Sequence, residues 1–225
     1  MQSESATIDI AQPKRFTTGA VLLVSAYGVL LAVPFLLGVL AISLVKFGVL
    51  TVLIPLLVVV ATAYFLPFGL GNTHVTRLVH SLPPAAGQGE DGFIVQLTLA
   101  PRLRSGLRAI LEDADDIGYL RFTGTALQFE GDSVRLSVPY NHIQQLRPQN
   151  IGLRGLFVYG RRIRLVVSGL PQVTALEFAE RYSRVLPTSR AITRKLYARL
   201  ATATAGARTP EVSGSASPHT GHQTL

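Results

Sequence analysis

Arginine is the residue type through which this chain can do chemistry. Eighteen of its 21 basic residues are arginine, and the guanidinium fork matches phosphate and carboxylate geometry two hydrogen bonds at a time. Residues 147–208 hold twelve basic residues against only Glu177 and Glu180, so the net charge of +8 belongs to one segment. Within it, Arg154, Arg161, Arg162 and Arg164 fall around an expected hairpin tip. Arg190, Arg194, Lys195 and Arg199 lie on the polar side of an expected helix over 189–201. These eight are the candidate lipid- or phosphate-binding residues. Such a block suits an anionic partner, either a membrane surface or nucleic acid. Phe157 and Tyr159 alternate as base-stacking platforms do, but equally as a barrel core does, and the core reading makes nucleic acid the weaker choice.

The other chemically able residues read as structure. Glu112, Asp113, Asp115 and Asp116 supply carboxylates that Ca²⁺ or Mg²⁺ would accept. They lack the glycine-centred spacing of a calcium loop, so a solvated acidic loop is expected. Gly131-Asp132-Ser133 resembles a fragment of a serine hydrolase motif, yet it lies between two expected strands and not on a strand-to-helix elbow. A hairpin turn is the reading that fits. His142 stands alone in the domain sequence, and His74 and His80 are six apart, a poor spacing for one helical face. The absence of cysteine excludes disulfides, a thiol nucleophile and zinc held by thiolates. No catalytic residue, metal site or cofactor is expected, and the chain is read as a non-enzyme.

The elements that must carry these residues begin with Phe16 to Gly71, a stretch whose one charge is Lys46. Charged residues make up 15% of the chain, against about 25% in an ordinary soluble domain, and this stretch explains the deficit. A membrane span needs about 20 apolar residues. The run therefore predicts a transmembrane helical hairpin, with spans at about 17–42 and 47–70 and a turn near Lys46. The flanking Lys14, Arg15 and Arg77 outnumber Lys46, which places both termini in the cytoplasm by the positive-inside bias. The expectation is thus an integral membrane protein of a bacterial inner membrane. Residues 1–15 are expected to be a disordered cytoplasmic terminus. Residues 72–92 read as a linker, on the Pro- and Gly-rich run from Pro83 to Gly92.

The domain is expected over 93–202. FIVQLTLAP alternates apolar and polar residues from Phe93, as a half-buried strand does. GYLRF (118–122), TALQF (125–129) and SVRLSV (133–138) follow between turn signals. A short turn of helix is expected over His142 to Leu146, then strands at 155–160 and 162–167, making an antiparallel meander. After Leu170 a helical period appears, with Ala175, Phe178, Ala179, Tyr182 and Leu186 on one stripe. Pro187 breaks it, and Ile192, Leu196 and Leu200 mark a second helix. From Ala203 to Leu225 the composition predicts a disordered tail.

Antiparallel strands closed by a C-terminal amphipathic helix, with GYLRFTGTALQFEGDSVRLSVPYNHIQQL and its Pro139, Tyr140 and Ile143 corner, resemble the bacterial PH-like and GRAM-like domains over about Phe93 to Leu186. The resemblance implies a PH-like antiparallel β-barrel capped by C-terminal α-helices. The fold class expected for the whole is α+β, an N-terminal transmembrane α-hairpin followed by that barrel. It also implies binding of anionic lipid head groups or a protein partner. The function expected is a membrane-anchored binding module that presents a basic surface. The alternative is a structural or assembly subunit of a membrane complex, acting through its spans on a membrane protein partner or on itself.

Overall fold

The computed structural model describes residues 5–17, 19–20, 37–38, 40, 53–54, 56–57, 67–82, 92–103, 114–149 and 161–208. Eight strands form one antiparallel sheet: β1 (Thr7–Ile10), β2 (Phe93–Ala100), β3 (Asp116–Phe122), β4 (Ala126–Gly131), β5 (Val134–Pro139), β6 (Ile143–Gln149), β7 (Arg162–Val167) and β8 (Ala175–Glu180). A 3₁₀ turn (Tyr140–His142) joins β5 to β6. Helix α1 (Pro67–His80) precedes β2, and helix α2 (Leu186–Arg208) follows β8. The order across the sheet is β1-β5-β4-β3-β2-β8-β7-β6. Strands β2 to β5 form one meander and β6 to β8 another, joined where β2 pairs with β8.

Alternation decides the faces. Val95, Leu97 and Leu99 of β2, Leu127 and Phe129 of β4, Leu136 and Val138 of β5, Ile163 and Leu165 of β7, and Leu176 and Phe178 of β8 enter one shared core. Strands from both ends of the order meet in that core, so the sheet curls around it. Leu196 and Leu200 of α2 enter the same core, and the helix caps the concave side. Burying each large apolar side chain is worth about 1.5–3 kcal/mol. A second, smaller core lies on the outer face, where Val75 and Val79 of α1 meet Ile94, Ile117, Ala114 and Phe16.

No helix among the described residues is long and apolar enough to cross a membrane. The expected transmembrane hairpin is therefore corrected, and with it the placement as an integral two-span membrane protein with cytoplasmic termini. Most of 17–42 and 47–66 lies outside the described residues. Where the second expected span ends, the chain forms α1 instead, 14 residues long. Its Asn72, Thr76 and Arg77 end the apolar run, and its apolar side lies on the sheet.

The segment expected as a disordered terminus is structured as well. Thr7 to Ile10 pair with Ser137 to Val134 along the edge of β5. The Ala11 amide donates to the Ser133 carbonyl at 2.7 Å, and the Arg15 and Phe16 amides donate to Asp132 Oδ2 at 2.6 and 2.8 Å. Ala6 enters the main core and Phe16 the outer one. The arm's few apolar residues are thus used at its two ends, which composition alone does not reveal.

Two further differences concern period. The stripe expected as a helix from Ala175 to Leu186 is strand β8 over Ala175–Glu180. Leu176 and Phe178 face the main core, while Ala175 and Ala179 are buried on the other side. Burial on both faces hides the two-residue period and leaves spacings of three and four to mimic a helix. The short helix expected over His142 to Leu146 ends at His142, and β6 begins at Ile143. The expected strand at 155–160, Glu112 and Asp113 fall outside the described residues, as does the tail beyond Arg208. Helix α2 itself runs past the expected tail boundary at Ala203.

Candidate functional site

The clearest candidate is the outward side of α2. Leu186, Ser189, Thr193, Leu196, Leu200 and Thr204 form its buried stripe. Pro187 sits in the first turn, where its missing N–H removes no intrahelical bond. Arg190, Arg194 and Lys195 are exposed on the opposite side. The helix carries no Asp or Glu in 23 residues, so no carboxylate of its own offsets them. Like charges at i and i+4 cost a few tenths of a kcal/mol in a helix, and Arg190 and Arg194 stand at that spacing. Arg199 differs from these three. Its guanidinium lies over the Phe122 ring, 5.0 Å from the centroid. It also faces Tyr140, whose hydroxyl is pushed above its ordinary pKa by burial, with the Arg199 charge pulling it back. Arg199 therefore anchors the helix to the sheet.

The arginines of β7 point elsewhere. Ile163 and Leu165 face the core, so Arg162 and Arg164 lie on the outer face. Arg162 Nη1 donates to Glu177 Oε2 at 3.0 Å and Arg164 Nη1 to Glu177 Oε1 at 3.3 Å. Arg162 and Glu177 keep only 7% and 11% of their side-chain exposure, while Arg164 keeps 43%. Arg161, just before β7, is exposed, and Arg154 lies outside the described residues. The eight residues expected to form one site are thus divided: three on the outside of α2, one tying α2 down, three at or before the outer face of β7, and Arg154 outside the described residues. Arg147 of β6, passed over in the sequence, is the cross-strand partner of Arg164. Only the register of a folded sheet could have found it.

Asp115 and Asp116, the described members of the acidic cluster, are turned inward. Asp115 Oδ2 accepts from the Leu99 amide at 2.8 Å and Oδ1 from the Leu103 amide at 3.2 Å. Asp116, fully buried, accepts at Oδ2 from the Ser133 and Val134 amides at 3.0 and 2.7 Å. Burial raises its pKa to about 6, against the pull of those amides and of Ile117, and the nearby Asp132 charge raises it further. A Cβ on Gly131 would overlap Asp116 Oδ2, so the glycine admits the carboxylate to the β4–β5 turn. Gly131-Asp132-Ser133 is that turn, not a nucleophile's elbow. His142 Nδ1 lies 3.1 Å from the Ser168 carbonyl, pressed against Gly169, whose φ of +80° suits glycine. No group of three or more His, Asp or Glu among the described residues is placed to hold a metal ion.

A buried polar network binds α1 to the chain entering α2. Arg181 Nε donates to Gln96 Oε1 at 2.7 Å and its Nη1 to Asn72 Oδ1 at 3.2 Å. Asn72 Nδ2 donates to the Ser183 carbonyl at 2.6 Å, and Thr76 Oγ1 to the Arg181 carbonyl at 3.2 Å. Glu180 accepts from the Tyr182 and Ser183 amides, both at 3.1 Å, and from the Ser183 hydroxyl. These contacts fix the angle at which α2 leaves β8. No protein-family model matches this chain, and neither a curated protein nor a solved structure matches it.

Proposed function

We propose that this chain is a binding module, not an enzyme: a PH-like curled sheet whose closing helix presents a basic surface to anionic phospholipid head groups. The observation that carries the reading is α2, which buries one stripe in the core and turns Arg190, Arg194 and Lys195 outward with no carboxylate along its length. The PH-like part is supported by the order of elements, seven strands in two meanders followed by a C-terminal helix. Exposed Tyr182, just ahead of α2, adds an amphipathic ring of the kind favoured where apolar and wet surfaces meet.

The test uses the full chain with vesicles of phosphatidylcholine alone and of phosphatidylcholine mixed with phosphatidylglycerol. Each basic residue near an anionic surface contributes about 1 kcal/mol. Replacing Arg190, Arg194 and Lys195 by glutamine should therefore weaken binding by about 3 kcal/mol, roughly 100-fold, and added salt should weaken the wild type. Equal binding to both vesicle types, insensitive to salt, would refute the lipid reading. Salt-sensitive binding to an acidic protein, with none to anionic vesicles, would transfer the same surface to a protein partner.

A further inference from the structure

The register of β6, β7 and β8 sets Arg147, Arg164 and Glu177 in one cross-strand row on the outer face of the sheet, with Arg162 also on Glu177. Arg147 stands opposite Arg164, and Arg164 opposite Glu177. Gln149 stands opposite Arg162 in the same pair of strands. Leu146 and Leu165, the neighbours of Arg147 and Arg164, pack on the main core, so the two arginines share the other side. Both oxygens of Glu177 are already taken, one by Arg162 and one by Arg164. Arg147 is exposed and forms no ion pair among the described residues.

Like charges directly opposite on neighbouring strands destabilise a sheet. Here the penalty falls on a pair that Glu177, the one carboxylate paired with it among the described residues, cannot neutralise. Directly opposite residues hold their Cβ atoms about 4.5–5.5 Å apart. Two guanidinium forks from such a pair can close on one tetrahedral anion, each giving two hydrogen bonds. A phosphoryl group has oxygens enough for both forks, whereas a single carboxylate fills only one.

We infer that Arg147 and Arg164 form a clamp for a phosphoryl group on the outer face of the sheet. Glu177 is its positioning residue, holding Arg164 upright between Arg162 and the ligand. The clamp lies on the opposite side of the sheet from the core that α2 caps, and it does not rest on the lipid reading of α2.

The experiment titrates the full chain with inorganic pyrophosphate by calorimetry, and in a second arm with vesicles containing phosphatidic acid. Wild type, R147Q, R147K and the α2 triple variant are compared, and the thermal unfolding of each is followed at low salt. Wild type should bind one or both probes saturably. R147Q should lose at least tenfold in affinity, R147K should lose less, and the α2 variant should keep the pyrophosphate response. Because Arg147 is exposed and faces a like charge, ligand-free R147Q should unfold at a temperature equal to or above that of wild type. A response to pyrophosphate supports the clamp with a soluble phosphate as ligand. An Arg147-dependent response to phosphatidic acid alone supports it with a head group as ligand. Wild-type affinity in R147Q, a lower unfolding temperature of ligand-free R147Q, or no binding of either probe by wild type would overturn it.

Discussion

Replacing Asp116 by asparagine tests whether a buried carboxylate sets the pH dependence of stability. The side chain is fully buried, takes two amide hydrogen bonds at Oδ2, and has its pKa raised from 3.8 to about 6, chiefly by desolvation. In the unfolded chain the group titrates near its ordinary value. Between the two values the folded state holds a proton that the unfolded state has released. Stability from this group is therefore complete below about pH 4 and is lost as pH rises through about 6. A rise of this size corresponds to about 3 kcal/mol. Urea unfolding of wild type and D116N across pH 4 to 8 would isolate it, because every other carboxylate is common to both. The stability of wild type minus that of D116N should fall by about 2–2.5 kcal/mol from pH 4 to pH 7. A difference that stays constant, or that grows with pH, would show that Asp116 is not the strained acid the burial implies.

Three other perturbations follow from packing. Leu196→Ala empties a fully buried position between α2 and the sheet and should cost about 2–5 kcal/mol in chemical denaturation. Gly118→Ala places a methyl against the Glu130 carbonyl oxygen and 2.5 Å from the Gly131 Cα. Backbone cannot step aside, so a loss of about 1–3 kcal/mol or more is expected by the same measurement. Asn72→Ala strips partners from the Ser183 carbonyl and the Arg181 guanidinium. It should cost about 1–3 kcal/mol, with amide exchange faster at residues 181–185, between β8 and α2, while exchange in the sheet is unchanged.

The strands whose apolar and polar residues alternate were legible from their own residues. FIVQLTLAP, GYLRF, TALQF, SVRLSV and RIRLVV each alternate, and each becomes a strand within two residues of its expected bounds at every end. Strand β8 was not legible, because Ala175 and Ala179 are buried behind Leu176 and Phe178 and erase the alternation. The charge of α2 could be read directly, since an amphipathic stripe separates Leu196 and Leu200 from Arg194 and Lys195 within one window. The fate of Arg162 could not. Its partner Glu177 lies 15 positions away and meets it only through strand pairing. The same holds for Asp116, whose amide donors and carboxylate neighbour Asp132 come from the β4–β5 turn. An acid within such a cluster reads as solvated until a turn closes over it, as it does over Asp116. The apolar run from Phe16 carried the strongest local signal and still misled at its end, because α1 exchanges that character for Asn72 and Thr76, which bind the segment between β8 and α2.

The N-terminal arm gives this sheet an order of assembly. Arg15 and the carboxylate that holds it are 117 positions apart, and Thr7 meets Ser137 across a similar distance. At about 5–20 residues per second, a ribosome takes on the order of ten seconds to traverse such an interval. Strand β1 therefore waits for β5 to be made before it can pair, and until the arm docks the β5 edge stands open to any extended segment that reaches it. A truncated chain beginning after the arm would keep that edge exposed permanently. It should self-associate where the chain carrying residues 6–16 does not, which makes the arm a guard of the sheet as well as a part of it.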